Sequence, residues 1–503
     1  MVAPEVARLL AEAGIGRRRV RSVVGLLADG PHTLASLVEA SGVDRRTVQT
    51  VLAALGDDLV ETSGERLRIA PSRVDAYRSM SEARAWPYGR WLAGREDLVD
   101  RMAERIAGAP AARQALDHVS ATAATAALRA LWLDATYDLA GARVLCVGDH
   151  DLTSLALADV NPAVEIAVVD VDDDILGYID EVGRGSIRCR WTDLRFGLPD
   201  SLRGWGELVF TDPPYTPDGV SLFLARGLQG LGGAESARLV LAYGYGEQPA
   251  LGLKVQQAVT GLGLAYEAVL PGFNRYHGAQ AIGSTSDLSV LRPTAGALRR
   301  RESPKVNIYT HGSQSVESEA GPDWPSTEDY QRVTLPDVLG GGDPPAALGR
   351  LADASVAIDL RADPGSWLLR VLLGVTAERM ALLVPNNHPD IVDEASQRAL
   401  SDVVSAKYRL RYRRSTPGPR YAVVEAQRAQ AASPVRDVLD RAHGKVANTW
   451  REALVRAAGG TKNEARERIR ELARRPDLLD ERLLALPRSA IAALVAEIAA
   501  SAG

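Results

Sequence analysis

From Ala142 onward the chain alternates short apolar, β-rich runs with helix-length intervals, and this period decides the fold class. "RVLCVGD", "EIAVVDVD", "IRCRWTD", "ELVFTDPPY", "ARLVLAYGYG" and "LAYEAVLPGF" read as strands. "LTSLALADV" and "GVSLFLARGLQGL" read as helices between them. Strands that are apolar on both faces and separated by helices predict a parallel, Rossmann-like α/β sheet covered on both sides. "DLSVLRP", near residue 290, predicts a last, antiparallel strand. In such a sheet ligands bind at the carboxyl ends of the strands, so chemistry is to be sought there.

The flanking segments have other periods. In residues 1–72 three helical stretches are followed by "LVETSGERLRIA", two short strands around Ser63-Gly64, with Asp44 as the expected N-cap of the third helix. Helix, helix, helix, hairpin is the pattern of a winged helix-turn-helix. Residues 1–75 carry as many Asp and Glu as Lys and Arg, so there is no basic footprint and nucleic acid is an unlikely partner. The Rossmann-like domain is expected over 73–310, a polar linker over 311–329, a smaller α/β domain over 330–428, and amphipathic helices over 429–503.

A chain of 503 residues is too long for one core. Its net charge of −5 argues against a general polyanion binder and fits a neutral or cationic substrate. Cys146 and Cys189 both lie in apolar strand runs, which argues against a disulfide framework or a zinc site. No apolar stretch approaches membrane-spanning length and the start lacks a leader pattern, so a cytoplasmic protein without a membrane partner is expected.

"LVFTDPPYTPDG" (208–219) carries the most specific chemistry. Consecutive prolines cannot continue a strand, so it ends near Thr211 and Asp212 to Tyr215 form a stiff loop. Pro213 and Pro214 offer carbonyl acceptors and donate nothing. With the Asp212 carboxylate they make a clamp for an amino group, and Tyr215 adds a π-face that attracts a cation or stacks on a base. Such a clamp orients an amine for in-line attack on a carbon bound to a sulfonium, with a carboxylate taking the proton.

"VLCVGDHDLTSLAL" is a strand, Gly148, then Asp149 and Asp151 before a helix. Two carboxylates in that turn repel an anion and favour an amine, although Asp151 could instead cap the helix. Asp170 ends the second strand about 20 residues on, the place of an acid that holds a ribose diol. Of its neighbours Asp172, Asp173 and Asp174, one or two could start the next helix. Asp193 ends the third strand, placed to accept from an adenine amine. In chain order these acids describe an adenosyl pocket along one sheet edge.

An Asp/Asn-Pro-Pro-aromatic motif is shared by adenine-N6 and cytosine-N4 methyltransferases. The combination of "GDHDLTSLAL", "DPPYTPDG", "LDHVSATAATAALR" (116–129), "DLRFGLP" and "STSDL" (284–288) resembles the N4-bis(aminopropyl)spermidine synthases, the branched-chain polyamine synthase family, over about residues 1–310. Asp117, Thr122, Thr125 and Arg129 match the family's segment before the first strand. The resemblance implies a class I methyltransferase-type domain behind a winged helix. It also implies decarboxylated S-adenosylmethionine as co-substrate, aminopropyl transfer to a polyamine or related amine, release of methylthioadenosine, no metal, and a homodimer. Catalysis would fall to Asp212, Asp149 and Asp151, amine binding to Pro213, Tyr215, Asp117 and Thr122, and adenosyl binding to Gly148, Asp170, Asp172 and Asp193.

Two positions depart from the family pattern: His150 replaces the middle acid of the loop, and His118 replaces the glutamine after Asp117. Fewer carboxylates facing a polycation changes which amine is accepted. Residues 330–503 lie outside the family architecture, and "LLVPNNHPDI" resembles a decayed acceptor loop without its acid and aromatic; a structural or partner-binding domain is expected. The alternatives are a nucleic-acid amino-methyltransferase using S-adenosylmethionine, for which a basic surface and glycine-rich loop are missing, and a winged-helix DNA-binding regulator.

Overall fold

The computed structural model describes residues 1–80, 86–233, 236–246, 248–277, 284–299, 331–333, 335, 338, 351 and 354–501. The linker expected over 311–329 lies outside them. The N-terminal segment comprises α1 (Pro4–Glu12), α2 (Arg18–Asp29), α3 (Leu34–Ser41), α4 (Arg45–Leu55), and an antiparallel pair, β1 (Leu59–Thr62) and β2 (Arg66–Ile69). Asp44 starts α4 as expected, its Oδ1 accepting from Thr47 N at 2.9 Å. Val23, Leu27, Leu37, Val48, Val51, Leu55 and Ile69 form this segment's own core.

The helices α5 (Val74–Tyr77), α6 (Glu96–Gly108) and α7 (Ala123–Thr136) lead into the main sheet. Its strands are β3 (Arg143–Val147), β4 (Glu165–Asp170), β5 (Ile187–Trp191), β6 (Leu208–Thr211), β7 (Arg238–Tyr243), β8 (Leu264–Arg275) and β9 (Thr285–Pro293). Between them run α8 (Thr153–Val160), α9 (Asp173–Val182), α10 (Pro217–Gly230) and α11 (Pro249–Gly261). The spatial order is β5-β4-β3-β6-β7-β9-β8, and β9 is antiparallel to both neighbours. Strand order reverses at β3 and β6, whose carboxyl ends carry "GDHD" and "DPPY". Such a reversal opens a crevice between the outgoing loops, where ligands bind in this architecture.

A second sheet, ordered β10-β11-β12-β14-β13, is built from β10 (Gln331–Arg332), β11 (Ser355–Asp359), β12 (Arg379–Pro385), β13 (Tyr408–Arg413) and β14 (Tyr421–Arg428). Helices Trp367–Gly374 and Glu394–Val404 cover it, and four α-helices between Pro434 and Ala500 close the chain. The core under both sheets is continuous, from Leu98 and Val168 to Leu372 and Ile498.

This C-terminal part is seated on the β4–β5 side of the main sheet. Arg370 binds Asp173 at 2.7 Å with its guanidinium 4.4 Å above Trp191, Arg475 reaches both Asp180 oxygens at 3.0 Å, and Arg190 meets Glu481 at 3.0 Å. Cys146 and Cys189 are buried free thiols on β3 and β5. Among the described residues no helix is long and apolar enough to cross a membrane.

Candidate active site

The centre of the crevice is a cation to which the sequence motifs gave no role. Arg129 sits in α7, otherwise apolar on nearly every face, and is fully buried. A guanidinium there must spend all its donors on acceptors. It does: Nε reaches Asn274 Oδ1 at 2.8 Å, one terminal nitrogen Asp151 Oδ2 (2.8 Å) and Thr153 Oγ1 (3.3 Å), the other Asp212 Oδ2 (2.6 Å) and the Tyr276 hydroxyl (3.0 Å). Burial works against its charge, but the Tyr276 hydroxyl, Asp212 and Asp151 outweigh it and hold its pKa above the ordinary value.

Asp212 lies where the strand stops. Tyr276 donates to its Oδ2 at 2.7 Å and the Tyr215 hydroxyl stands 3.2 Å from Oδ1. Pro213 and Pro214 are buried beside it, and Tyr215 packs edge-on to Tyr243 at 5.3 Å. Burial raises the Asp212 carboxyl, Arg129 lowers it and Asp151 raises it again. Two carboxylates share one guanidinium, so the net direction is upward. Tyr276 was not among the expected site residues; its signal was only an aromatic in "NRYHG", at the far end of β8.

Asp149 is 3 % exposed. One oxygen accepts from Ser154 N at 3.1 Å, while Oδ1 has no hydrogen-bond partner. Burial pushes this carboxyl up to about 7. Gly148 turns the chain at φ 73°, and a Cβ there would come within 3.0 Å of Phe223. Asp170 accepts from the Asp149 and Asp172 amides at 3.2 and 2.9 Å, and burial, then the charge of Asp172, raises it to about 6. Each of its oxygens keeps a further lone pair.

Four of the expected site residues are engaged by the fold itself. Asp151 neither caps α8 nor stands open to an amine: it accepts from Ala121 N at 2.7 Å and from Arg129, while Asp149 ties down the helix start. The reason is Leu152, left-handed at φ 58°, which delays the helix to Thr153. Asp172 is the N-cap of α9, accepting from Asp174 N, and faces Arg113 at 3.5 Å. Thr122 is the N-cap of α7. Asp193 has its acceptor sites filled by the Arg195 backbone and guanidinium and by the Trp367 indole.

Asp117 is half-buried in a left-handed turn (φ 54°) after Leu116. Beside it the two departing histidines meet: His118 and His150 stack with centroids 4.2 Å apart. Burial lowers both imidazoles, His118 further because His150 and Arg113 adjoin it. Carboxylates therefore outnumber cations at these strand ends: Asp151 and Asp212 share Arg129, and Asp149 and Asp170 lie in the turn after β3 and at the end of β4. Among the described residues no group of His, Cys, Asp and Glu could hold a metal ion.

Residues 97–320 match the family described as the branched-chain polyamine synthase A C-terminal domain. An uncharacterized protein of Methanocaldococcus jannaschii is 37% identical over 200 residues, 39% of this chain and 50% of its own length. N(4)-bis(aminopropyl)spermidine synthases from M. jannaschii and Thermococcus kodakarensis are 33% and 31% identical over 146 and 141 residues, 28% and 27% of this chain and 42% and 40% of theirs. The chain thus spans half or less of the length of these relatives. The branched-chain polyamine synthase of Thermus thermophilus, solved with N4-aminopropylspermidine and 5′-methylthioadenosine, superposes with a TM-score of 0.40 at 20% identity, over 62% of this chain and 96% of that one. The resemblance read from the sequence holds for the segment that contains the crevice.

Proposed function

We propose that this segment is an aminopropyltransferase: it moves an aminopropyl group from decarboxylated S-adenosylmethionine to an amine and releases methylthioadenosine. The observation that carries the reading is the buried carboxylate surplus at the β3–β6 reversal, with Asp149 Oδ1 buried there and without a hydrogen-bond partner. Decarboxylated S-adenosylmethionine is a cation with a free ammonium, and the ordinary cofactor would bring a carboxylate against these acids. Asp170 and the turn at Gly148 would hold the ribose.

In the step itself the acceptor nitrogen attacks the aminopropyl carbon next to sulfur. The C–S bond breaks, its electron pair stays on sulfur as a neutral thioether, and the new ammonium gives up a proton. Asp212, shifted upward by burial, is the acceptor for that proton, directed by Tyr276 and Arg129. Pro213 and Tyr215 line the amine's approach. Calorimetry of the whole chain with the two sulfonium ligands tests the reading: decarboxylated S-adenosylmethionine should bind at least about tenfold tighter, one charge contact's worth. Tighter binding of ordinary S-adenosylmethionine would give the site to methyl transfer.

Residues 1–72 are read as a winged helix used internally. Its α3–α4 turn packs on the β8–β9 hairpin: Glu39 pairs with His277 at 3.0 Å, the Gly42 carbonyl accepts from Thr285 at 3.2 Å, and the Arg275 guanidinium fills the space over Gly42. That contact, and the absence of a basic surplus, support an assembly role over duplex binding.

A further inference from the structure

The acid expected to read the base is already engaged by the chain's own C-terminal part. Asp193 is 4 % exposed at the end of β5. Its Oδ1 accepts from Arg195 N (3.0 Å) and Nε (2.8 Å), and its Oδ2 from Arg195 Nη2 (2.5 Å) and from Trp367 Nε1 (2.9 Å). A carboxylate has about four lone-pair sites, so these donors saturate it.

The arrangement is built rather than incidental. Trp367 is 3 % exposed, its ring lies under the Arg195 guanidinium at 4.9 Å, and Phe196 flanks it at 5.9 Å. The turn that presents it is locked by Asp363, whose carboxylate accepts from the amides of Gly365, Ser366, Trp367 and Leu368 and from His388. Arg113, which also faces Asp172, binds the Pro364 carbonyl. Displacing Trp367 would therefore disturb a buried ion pair as well as an indole contact.

We propose that Trp367 and Arg195 determine base specificity at the nucleoside site. By saturating Asp193 they remove the contact that would distinguish a 6-amino purine from a 6-oxo purine, and the site takes thioether nucleosides of both kinds. The inference rests on the nucleoside reading given above and deepens it.

Calorimetry of the whole chain with 5′-methylthioadenosine and 5′-methylthioinosine tests it. The two dissociation constants should differ by less than about fivefold, below the value of one charge-assisted hydrogen bond. Trp367→Phe frees one Asp193 lone pair, and the preference for the amino form should then rise about tenfold or more. A larger ratio in the unaltered protein overturns the proposal, and that measurement stands even if the variant does not fold. A folded variant with an unchanged ratio also overturns it, as does binding that appears only in the variant, which would make Trp367 a plug. Failure of both the intact chain and the folded variant to bind either nucleoside would defeat the nucleoside reading itself, whereas binding with strong preference for the amino form defeats this inference alone.

Discussion

Two strands of this chain end in the same way and are put to different use. β6 runs out into Asp-Pro-Pro-Tyr, and β12 runs out into Pro-Asn-Asn-His-Pro-Asp. Buried carboxylates gather at both ends. Beside β12, Asp363 is wholly buried and accepts five bonds within the domain, four from backbone amides and one from His388 Nε2 at 2.9 Å. Burial would raise its carboxyl, but His388 and those amides outweigh it and hold it below the ordinary value. Beside β3 and β6, Asp149 keeps an oxygen without a partner and is pushed up to about 7.

The difference is one of acceptor capacity left over. A saturated buried carboxylate is part of the fold's own wiring, stable and chemically quiet. Asp149, short of donors and without a cation beside it, holds its proton near neutral pH and offers a lone pair to whatever cation or amine enters. Burial alone therefore does not mark a site, nor does a spare oxygen alone: buried Asp390, after β12, also keeps Oδ2 without a partner, but Arg488 neutralises it, whereas Asp149 has no such cation beside it.

The largest expected effect is at the reacting end. Asp212→Asn should lower turnover by about two to four decades, the usual worth of a positioned general base, while methylthioadenosine affinity stays within about threefold, below one hydrogen bond's worth. Steady-state kinetics beside calorimetry measure both. Parallel losses would move Asp212 into the nucleoside pocket.

Asp363→Ala should show the opposite profile. It strips the acceptor from four amides and His388, and breaking a buried pair by removing one partner costs about 3–5 kcal/mol. Urea unfolding would register that loss. An undisturbed midpoint would mean the β12 carboxylate is not structural, and the contrast drawn above would fail.

How much of this was legible follows from the range of each interaction. The strand periods of β3 to β9 and the capping of α4 by Asp44 are local, and the sequence reading placed them. Arg129 was legible as a family match, yet its role depends on Asp151, Asp212, Asn274 and Tyr276, which only the closed sheet brings to α7. A lone arginine inside an apolar helix was the available signal. The pairing of Asp193 with Trp367 spans 174 positions, and no spacing rule reaches that far. The exchange of duties between Asp149 and Asp151 hinged on one left-handed residue, Leu152, whose side chain does not announce that conformation.

Asp149→Asn should sharpen the comparison through pH. The folded-state pKa is raised above the unfolded value, so the stability linked to the protonated acid is fully present below about pH 4 and is lost as pH rises through about 7. The variant should remove Asp149's share of that decline, leaving the part due to Asp170 and Asp212, and be more stable than the unaltered chain above pH 7. The gain is at most about 1.4 kcal/mol for each pH unit that separates the folded and unfolded pKa values. Its affinity for decarboxylated S-adenosylmethionine should fall by about one to two decades. Melting curves from pH 4 to 8 would decide, and a slope undiminished by the substitution would assign the whole titration to Asp170 and Asp212.

The smallest effect should come from restoring acid to the quiet strand end. Asn387 is exposed in the loop after β12, so Asn387→Asp adds a carboxylate in water, next in sequence to the buried His388. An exposed substitution of this kind changes stability by no more than about 0.5 kcal/mol. It also creates no desolvated acceptor, so a cationic ligand gains only a screened surface attraction. Calorimetric titration with decarboxylated S-adenosylmethionine should give the same stoichiometry and affinity before and after the change. A second binding event in the variant would show that a carboxylate after β12 is enough to make a site. Charge rather than unspent, buried acceptor capacity would then be what separates the two strand ends.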